Sequence, residues 1–199
     1  MPGAVHGSGP QTGAMRAAQF GLVGGSIEDA TGRRDDPIYP FDLAVKRVAA
    51  AVEAARDLSF PFVLTARAEN LIRGRPDLPD TIRRLCALAE AGADVLYAPG
   101  LRTHEDIRAI VNAVAPKPVN VVVGLDDTAF SCDEPTALGV KRISLGSSLA
   151  RAALGAVFQA ADEMREAGTF RFAQQAVSYA KVVEMFLEGP SGGDKMSVG

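Results

Sequence analysis

Five short apolar runs, each followed by a segment with apolar residues at helical spacing, organise this chain. Alternation of this kind predicts an α/β fold, with a parallel sheet and helices covering it. The runs are 21–29, 60–66, 94–99, 118–124 and 141–146, and the helical segments are 41–58, 80–91, 104–114, 133–138 and 149–167. In 41–58, Leu43, Val45, Val48, Val52 and Ala55 recur on a helical period, with Asp42 in the early turn. Asp80 reads as the cap of 80–91, Ile82, Leu85 and Leu88 share one face, and Gly92 stops the helix. Thr103 reads as an N-cap, and with Asp106 it fits the acidic form of a capping box. Ser147 and Ser148 open the next helix, and a further helical stretch follows at 170–187. Residues 1–13 read as a disordered leader and 189–199 as a flexible tail, which leaves 14–188 as one domain.

Composition narrows the function classes. Hydrophobic residues at 47% and charged residues at 23% are an ordinary globular balance. A net charge of −3 gives no attraction to nucleic acid or to an anionic membrane. No apolar run is long enough to span a bilayer, and the N-terminus does not read as a secretion signal. A cytoplasmic location with Cys86 and Cys132 reduced is therefore expected. Cys86 sits in an apolar helical pattern and reads as core; Cys132 reads as an exposed thiol. His104 reads as a surface residue, and no His/Cys cluster or Ser/His/Asp order stands out.

Two parallel architectures compete. A doubly wound sheet places its site at one switch point and marks it with a glycine fingerprint, and no GxGxxG opens a helix after the first strand. Here several successive runs end on polar or special residues, namely Glu28 and Asp29, Arg67, Pro99, Asn120 and Ser147. Polar residues at the C-terminal ends of many strands are the habit of a TIM (β/α)8 barrel.

These residues carry the candidate chemistry. Neighbouring strand positions face opposite ways, so only one of Glu28 and Asp29 can face a barrel centre. A carboxylate there can ligate Mg²⁺, or it can cap a helix or pair with Arg33 or Arg34. Arg67 needs an anionic partner, either a substrate carboxylate or Glu69 or Glu28. Glu69 and Asn70 add polar groups just beyond it. Asn120 lies inside an apolar run and must be hydrogen-bonded, to a ligand or to its neighbours. Ser147 stands at a helix N-terminus, where it can meet an anion or simply cap.

Six ordered segments resemble the isocitrate lyase/phosphoenolpyruvate mutase superfamily: Gly25-Ser26-Ile27-Glu28-Asp29, Phe41-Asp42-Leu43-Ala44, Leu64-Thr65-Ala66-Arg67-Ala68-Glu69-Asn70, the ten residues 91–100, Lys117-Pro118-Val119-Asn120-Val121 and Ser144-Leu145-Gly146-Ser147. The resemblance runs over about 15–170. It implies a partial TIM barrel, strands four to eight of the family fold, with extra C-terminal helices. It also implies a Mg²⁺-dependent enzyme that makes or breaks a C–C or P–C bond beside the carboxylate of a small α-keto or hydroxy acid. By that resemblance Glu28 would hold the metal through water, Arg67 would bind the substrate carboxylate and Asn120 would line the pocket. The C-terminal helices would pack on a second copy, which makes a homo-oligomer.

Three departures sharpen the expectation. The family's main metal carboxylates lie on strands before the Ile27-Glu28-Asp29 strand, and this chain has no matching sequence there. The loop 30–40 lacks the catalytic cysteine of the lyase branch. Pro99 stands where the lyases resemble one another in a glutamate and the mutase has a histidine. The departures point away from isocitrate and methylisocitrate cleavage and toward a decarboxylase or hydrolase-like branch acting on oxaloacetate or a similar acid. A catalytically silent truncated fragment is the alternative, with phosphoenolpyruvate mutase or other P–C chemistry a lesser one.

Overall fold

A computed structural model describes residues 10–124 and 131–187. Two compact units follow one another, Met1–Gly146 and Ser147–Gly199. The first holds a sheet of five parallel strands in the order β1-β2-β3-β4-β5: β1 (Gly24–Glu28), β2 (Val63–Arg67), β3 (Val95–Tyr97), β4 (Val119–Val122) and β5 (Arg142–Ser144). Its helices are α1 (Pro10–Gln19), α2 (Phe41–Arg56), α3 (Leu78–Glu90), α4 (His104–Val114) and α5 (Asp133–Ala137). Strands that neighbour in sequence also neighbour in space, and no strand order reverses, so the sheet has no switch point. This is the α/β partial-barrel arrangement that the pattern predicts, each strand trimmed at its ends.

The two faces of the sheet differ. Leu64 and Ala66 of β2, Leu96 of β3, and Val119 and Val121 of β4 join the buried core, which Val48, Val52, Leu85, Leu88, Ile107 and Ile110 of the helices complete. The alternate positions on the same strands, Thr65, Arg67, Tyr97 and Asn120, face the other way, into a lumen. Strand parity therefore separates the residues that hold the fold from those available for chemistry.

Capping decides the helix starts. Thr103 Oγ1 accepts from Asp106 N at 3.1 Å, as its spacing predicts. α3 differs from the expectation: it opens at Leu78, Asp77 is the cap, and Asp77 Oδ1 accepts from Asp80 N at 2.9 Å. Pro79 explains the earlier start, because a first-turn proline gives up no helical hydrogen bond. Asp80 is freed to bind Arg83 and Arg84. α1 opens at Pro10, inside the stretch expected as a leader; the rest of that leader and the tail lie outside the described residues.

In the second unit, α6 (Ser148–Ala167) ends at Gly168, whose φ of +63° a glycine tolerates best. The helix expected over 170–187 is broken into a 3₁₀ turn, Arg171–Gln174, and α7 (Tyr179–Leu187). Glu163 accounts for the turn: its carboxylate accepts from Thr169 Oγ1 at 2.5 Å and from the backbone of Arg171 at 2.6 Å and Phe172 at 3.1 Å. Ser178 then caps α7, its Oγ accepting from Lys181 N at 3.2 Å. No helix among the described residues is long and apolar enough to cross a membrane. Cys86 is partly buried against the core and Cys132 is exposed.

Gly92 turns the chain from α3 into β3 with φ at +104°. A Cβ there would sit 2.8 Å from Arg56 Nη2 and 2.9 Å from Val52 Cγ1. Gly92→Ala is expected to destabilise the protein by about 1–3 kcal/mol, read as a lower urea midpoint; an unchanged midpoint would show that this turn carries no strain.

Candidate active site at the strand ends

The parallel register lines up one residue from each strand. Glu28 pairs with Arg67, Arg67 with Tyr97, Tyr97 with Asn120, and Asn120 with Arg142. Paired positions in a sheet share a face. Four of the five, Arg67, Tyr97, Asn120 and Arg142, line a cavity of about 590 Å³ with Thr65 and Ser144. Glu28 sits at the same level, half-exposed, and its Oε2 is 3.5 Å from Arg67 Nη2.

Arg67 is the most constrained side chain of the row. Its Nε donates to Glu69 Oε1 at 2.9 Å, and its Nη2 lies 2.7 Å from the same oxygen. Its guanidinium also rests over the Tyr97 ring, 4.9 Å from the centroid. Among the described residues Nη1 is left without a partner. Glu69 is fully buried, with Arg73 Nη2 3.6 Å from its other oxygen. A buried carboxylate of this kind is tolerated only beside cations, so Arg67 and Arg73 stabilise it as much as it orients Arg67.

A second buried carboxylate fixes the first. Asp29 Oδ1 accepts from the Glu69 backbone N–H at 2.8 Å, and Asp29 Oδ2 lies 3.2 Å from Arg84 Nη1. Of the two adjacent acids, Asp29 is thus the structural one and Glu28 faces the site. Arg33 pairs with Asp36, so neither acid is neutralised from that side. Burial raises the carboxyl of Asp29, against the Glu69 N–H and Arg84. Burial and the charge of Glu69 raise that of Glu28, against Arg67. Asn70 belongs to the scaffold: its Nδ2 donates to Thr81 Oγ1 at 2.8 Å and to Asp77 O at 3.0 Å, which closes the loop after β2.

On the far wall Asn120 is fully buried and donates from Nδ2 to Ser144 Oγ at 3.1 Å. Its Oδ1 has no hydrogen-bond partner among the described residues. The Tyr97 hydroxyl also bonds Ser144, and burial holds its pKa up. Ser147 opens the second unit as the N-cap of α6 and makes no capping bond, while the lumen lining ends at Gly146. Pro99 follows β3 and is absent from the lining. The candidate site therefore gathers Glu28, Arg67 and Asn120, adds Tyr97, Ser144 and Arg142, and does not include Ser147.

A Mg²⁺ ion is normally held by one or two carboxylates, with water and substrate oxygens filling the other positions. Glu28 fits one such carboxylate. No group of three or more His, Cys, Asp or Glu among the described residues could form a dedicated cage.

Residues 8–165 match the phosphoenolpyruvate phosphomutase family model. The chain belongs to this family. It is 30% identical over 171 residues to the probable 2-methylisocitrate lyase 1 of Corynebacterium glutamicum, covering 80% of this chain and 55% of that protein. The chain thus spans about half the length of that curated relative. A protein of Burkholderia cenocepacia J2315 described as a lyase/mutase superposes with a TM-score of 0.87 at 54% identity, over 94% of this chain and 67% of that one. Oxaloacetate acetylhydrolase with its product oxalate superposes with a TM-score of 0.78 at 25% identity, over 89% of this chain and 62% of that one. These matches place the chain among the lyases and mutases of the isocitrate lyase/phosphoenolpyruvate mutase superfamily, on part of its barrel fold.

Behind the row, Asp80 braces Arg84, its Oδ2 accepting from Arg84 Nε at 2.7 Å. Burial pulls the Asp80 carboxyl up, but hydrogen bonds and charge from Arg84 and Arg83 outweigh it and hold the group below its ordinary 3.8. A depressed carboxyl adds stability above its ordinary pKa, and that stability is lost as pH falls through the folded value. Asp80→Asn is expected to cost about 1 kcal/mol at neutral pH, with the gap from wild type closing in urea titrations taken well under pH 3.8. A gap that persists in acid would assign the loss to something other than this charge.

Proposed function

We propose that this chain is a lyase-type enzyme that cleaves a C–C bond of a small α-keto or hydroxy carboxylate, with oxaloacetate decarboxylation as the simplest case. The observation that carries the reading is Arg67. Its guanidinium stands at a strand end, clamped along one edge by Glu69, with Nη1 unpartnered at the lumen. A planar fork held in this way suits a carboxylate. Fixing it beforehand also lowers the entropy cost of positioning the substrate.

In the simplest case the C3–C4 bond of oxaloacetate breaks, and its electron pair passes to the C2 carbonyl oxygen as an enolate oxyanion. C4 leaves as CO2, and a proton taken up at C3 completes pyruvate. Arg67 holds the C1 carboxylate next to that oxygen, where its positive charge stabilises the developing oxyanion. Asn120, Tyr97 and Ser144 shape the opposite wall and keep it polar. Glu28 would hold Mg²⁺ through water, and the ion when bound would supply further charge to the oxyanion. A catalytically silent chain is the second reading, favoured by the lack, among the described residues, of any group of three or more His, Cys, Asp or Glu that could hold a metal.

The same proposal places the protein in the cytoplasm and joins copies through the C-terminal helices. None of the described residues of α6 or α7 is buried, and Leu149, Phe158, Tyr179 and Phe186 are exposed. Apolar surface on this scale favours a partner, and a monomer in light scattering at micromolar concentration would overturn the oligomer.

The first test is a thermal melt with Mg²⁺ and oxalate, separately and together. A ligand that binds only the folded state raises the midpoint by mass action. The expected result is a shift that needs both and disappears in Arg67→Ala. A cooperative melt with no shift would favour the silent reading.

A further inference from the structure

Breaking a C–C bond leaves an electron pair on carbon, and a proton has to reach that carbon before the product departs. The lumen offers few groups that can supply one. Among the described residues its lining holds no His, Cys, Asp or Glu. An arginine does not give up a proton in a protein and an amide does not ionise, which removes Arg67, Arg142 and Asn120. Ser26, Thr65 and Ser144 carry aliphatic hydroxyls, far weaker acids than a phenol. Glu28 lies outside the lining, against Arg67. The remaining group is the hydroxyl of Tyr97.

Tyr97 also stands where such a donor is needed. It is the last residue of β3 and pairs in register with Arg67, the last residue of β2. The Arg67 guanidinium rests on its ring, 4.9 Å from the centroid. A carboxylate held by Arg67 therefore carries the next carbons of its own chain alongside this ring. The charged groups that act on the hydroxyl are Arg67, Glu69 and Arg142, and burial outweighs them to raise its pKa. The phenol thus keeps its proton at neutral pH until a stronger base appears beside it.

We propose that Tyr97 is the proton donor of this site, its hydroxyl protonating the carbon from which the C–C bond has been cleaved. This rests on the lyase reading and supplies the step which that reading leaves without a donor. In the oxaloacetate case the enolate electron pair forms the new C3–H bond as the C2 carbonyl is restored. The Tyr97 O–H bond breaks, and its pair stays on the phenolic oxygen. Arg67 over the ring and Ser144 beside the oxygen both stabilise that phenolate. Water then returns a proton to Tyr97, and no oxidant or reductant is involved.

Proton transfer at this carbon can be followed without any C–C cleavage. The full chain is incubated with Mg²⁺ and pyruvate in D2O, and loss of the methyl proton signal is read by NMR. Exchange is the reverse of the final step, with the Tyr97 phenolate as base. Wild type is expected to exchange faster than a protein-free blank. Tyr97→Phe keeps a ring under Arg67 and removes only the hydroxyl. It should slow the catalysed exchange by roughly a hundredfold or more, while keeping the wild-type thermal midpoint and its shift with Mg²⁺ and oxalate. Exchange that survives Tyr97→Phe overturns the proposal. Loss of the oxalate shift in Tyr97→Phe also overturns it, since the residue would then act by holding Arg67. CO2 release from oxaloacetate with no pyruvate exchange in wild type keeps the lyase reading and removes Tyr97 as donor. Tyr97-dependent exchange with no CO2 release above the blank does the opposite, and the absence of both removes both.

Discussion

Arg67 is held in place by Glu69, a carboxylate with no exposure to solvent. Much of the first unit's polar architecture follows from holding that carboxylate in place. Its backbone is tied to Asp29, Asp29 lies against Arg84, and Arg84 is braced by Asp80 on α3. Glu69 is offset by Arg67 and Arg73, Asp29 by Arg84, and Arg84 by Asp29 and Asp80, which makes each buried charge tolerable. The series joins the ends of β1 and β2 to α3, so the guanidinium at the lumen is positioned by contacts outside the lumen. A site clamped in this way needs little rearrangement when it meets a carboxylate.

The register of the sheet does the remaining placement. Side chains alternate between faces, so a single in-register row exposes Arg67, Tyr97, Asn120 and Arg142 together while Leu64, Ala66, Leu96 and Val119 bury together. A slip of one residue on any strand would exchange the two sets. Short strands suffice because each contributes only one or two lumen positions. The loop after β2 is closed by the Asn70 amide rather than by a ligand, which keeps Glu69 at its station.

Family membership and residue-level chemistry are separate matters here. The family model spans 8–165, and the likeness to the Burkholderia cenocepacia protein is close in both sequence and shape. Relatives on this fold carry different reactions, among them a 2-methylisocitrate lyase and an oxaloacetate acetylhydrolase. Fold alone therefore does not choose the substrate, and the choice lies with the lumen side chains. In this chain those include Thr65, Arg67, Tyr97, Asn120, Arg142 and Ser144.

The sequence by itself determined the five strand-helix units, the caps at Thr103 and Gly92, and the candidacy of Glu28, Arg67 and Asn120. These are local or periodic signals, legible because hydrophobic spacing and turn chemistry act over a few residues. Placing the cap of α3 at Asp80 missed Asp77, since Pro79 permits the earlier start. The unbroken helix at 170–187 was lost to Glu163, whose reach across to Phe172 no local propensity records. Only tertiary structure decided that Asp29 is buried against Arg84, 55 residues away, while Glu28 faces Arg67. Only the register brought Tyr97 and Arg142 into the row and set Ser144 beside it, within reach of Asn120. Strand parity makes these residues candidates, but which parity faces the lumen depends on how separate strands pair, and pairing is not written in any one of them.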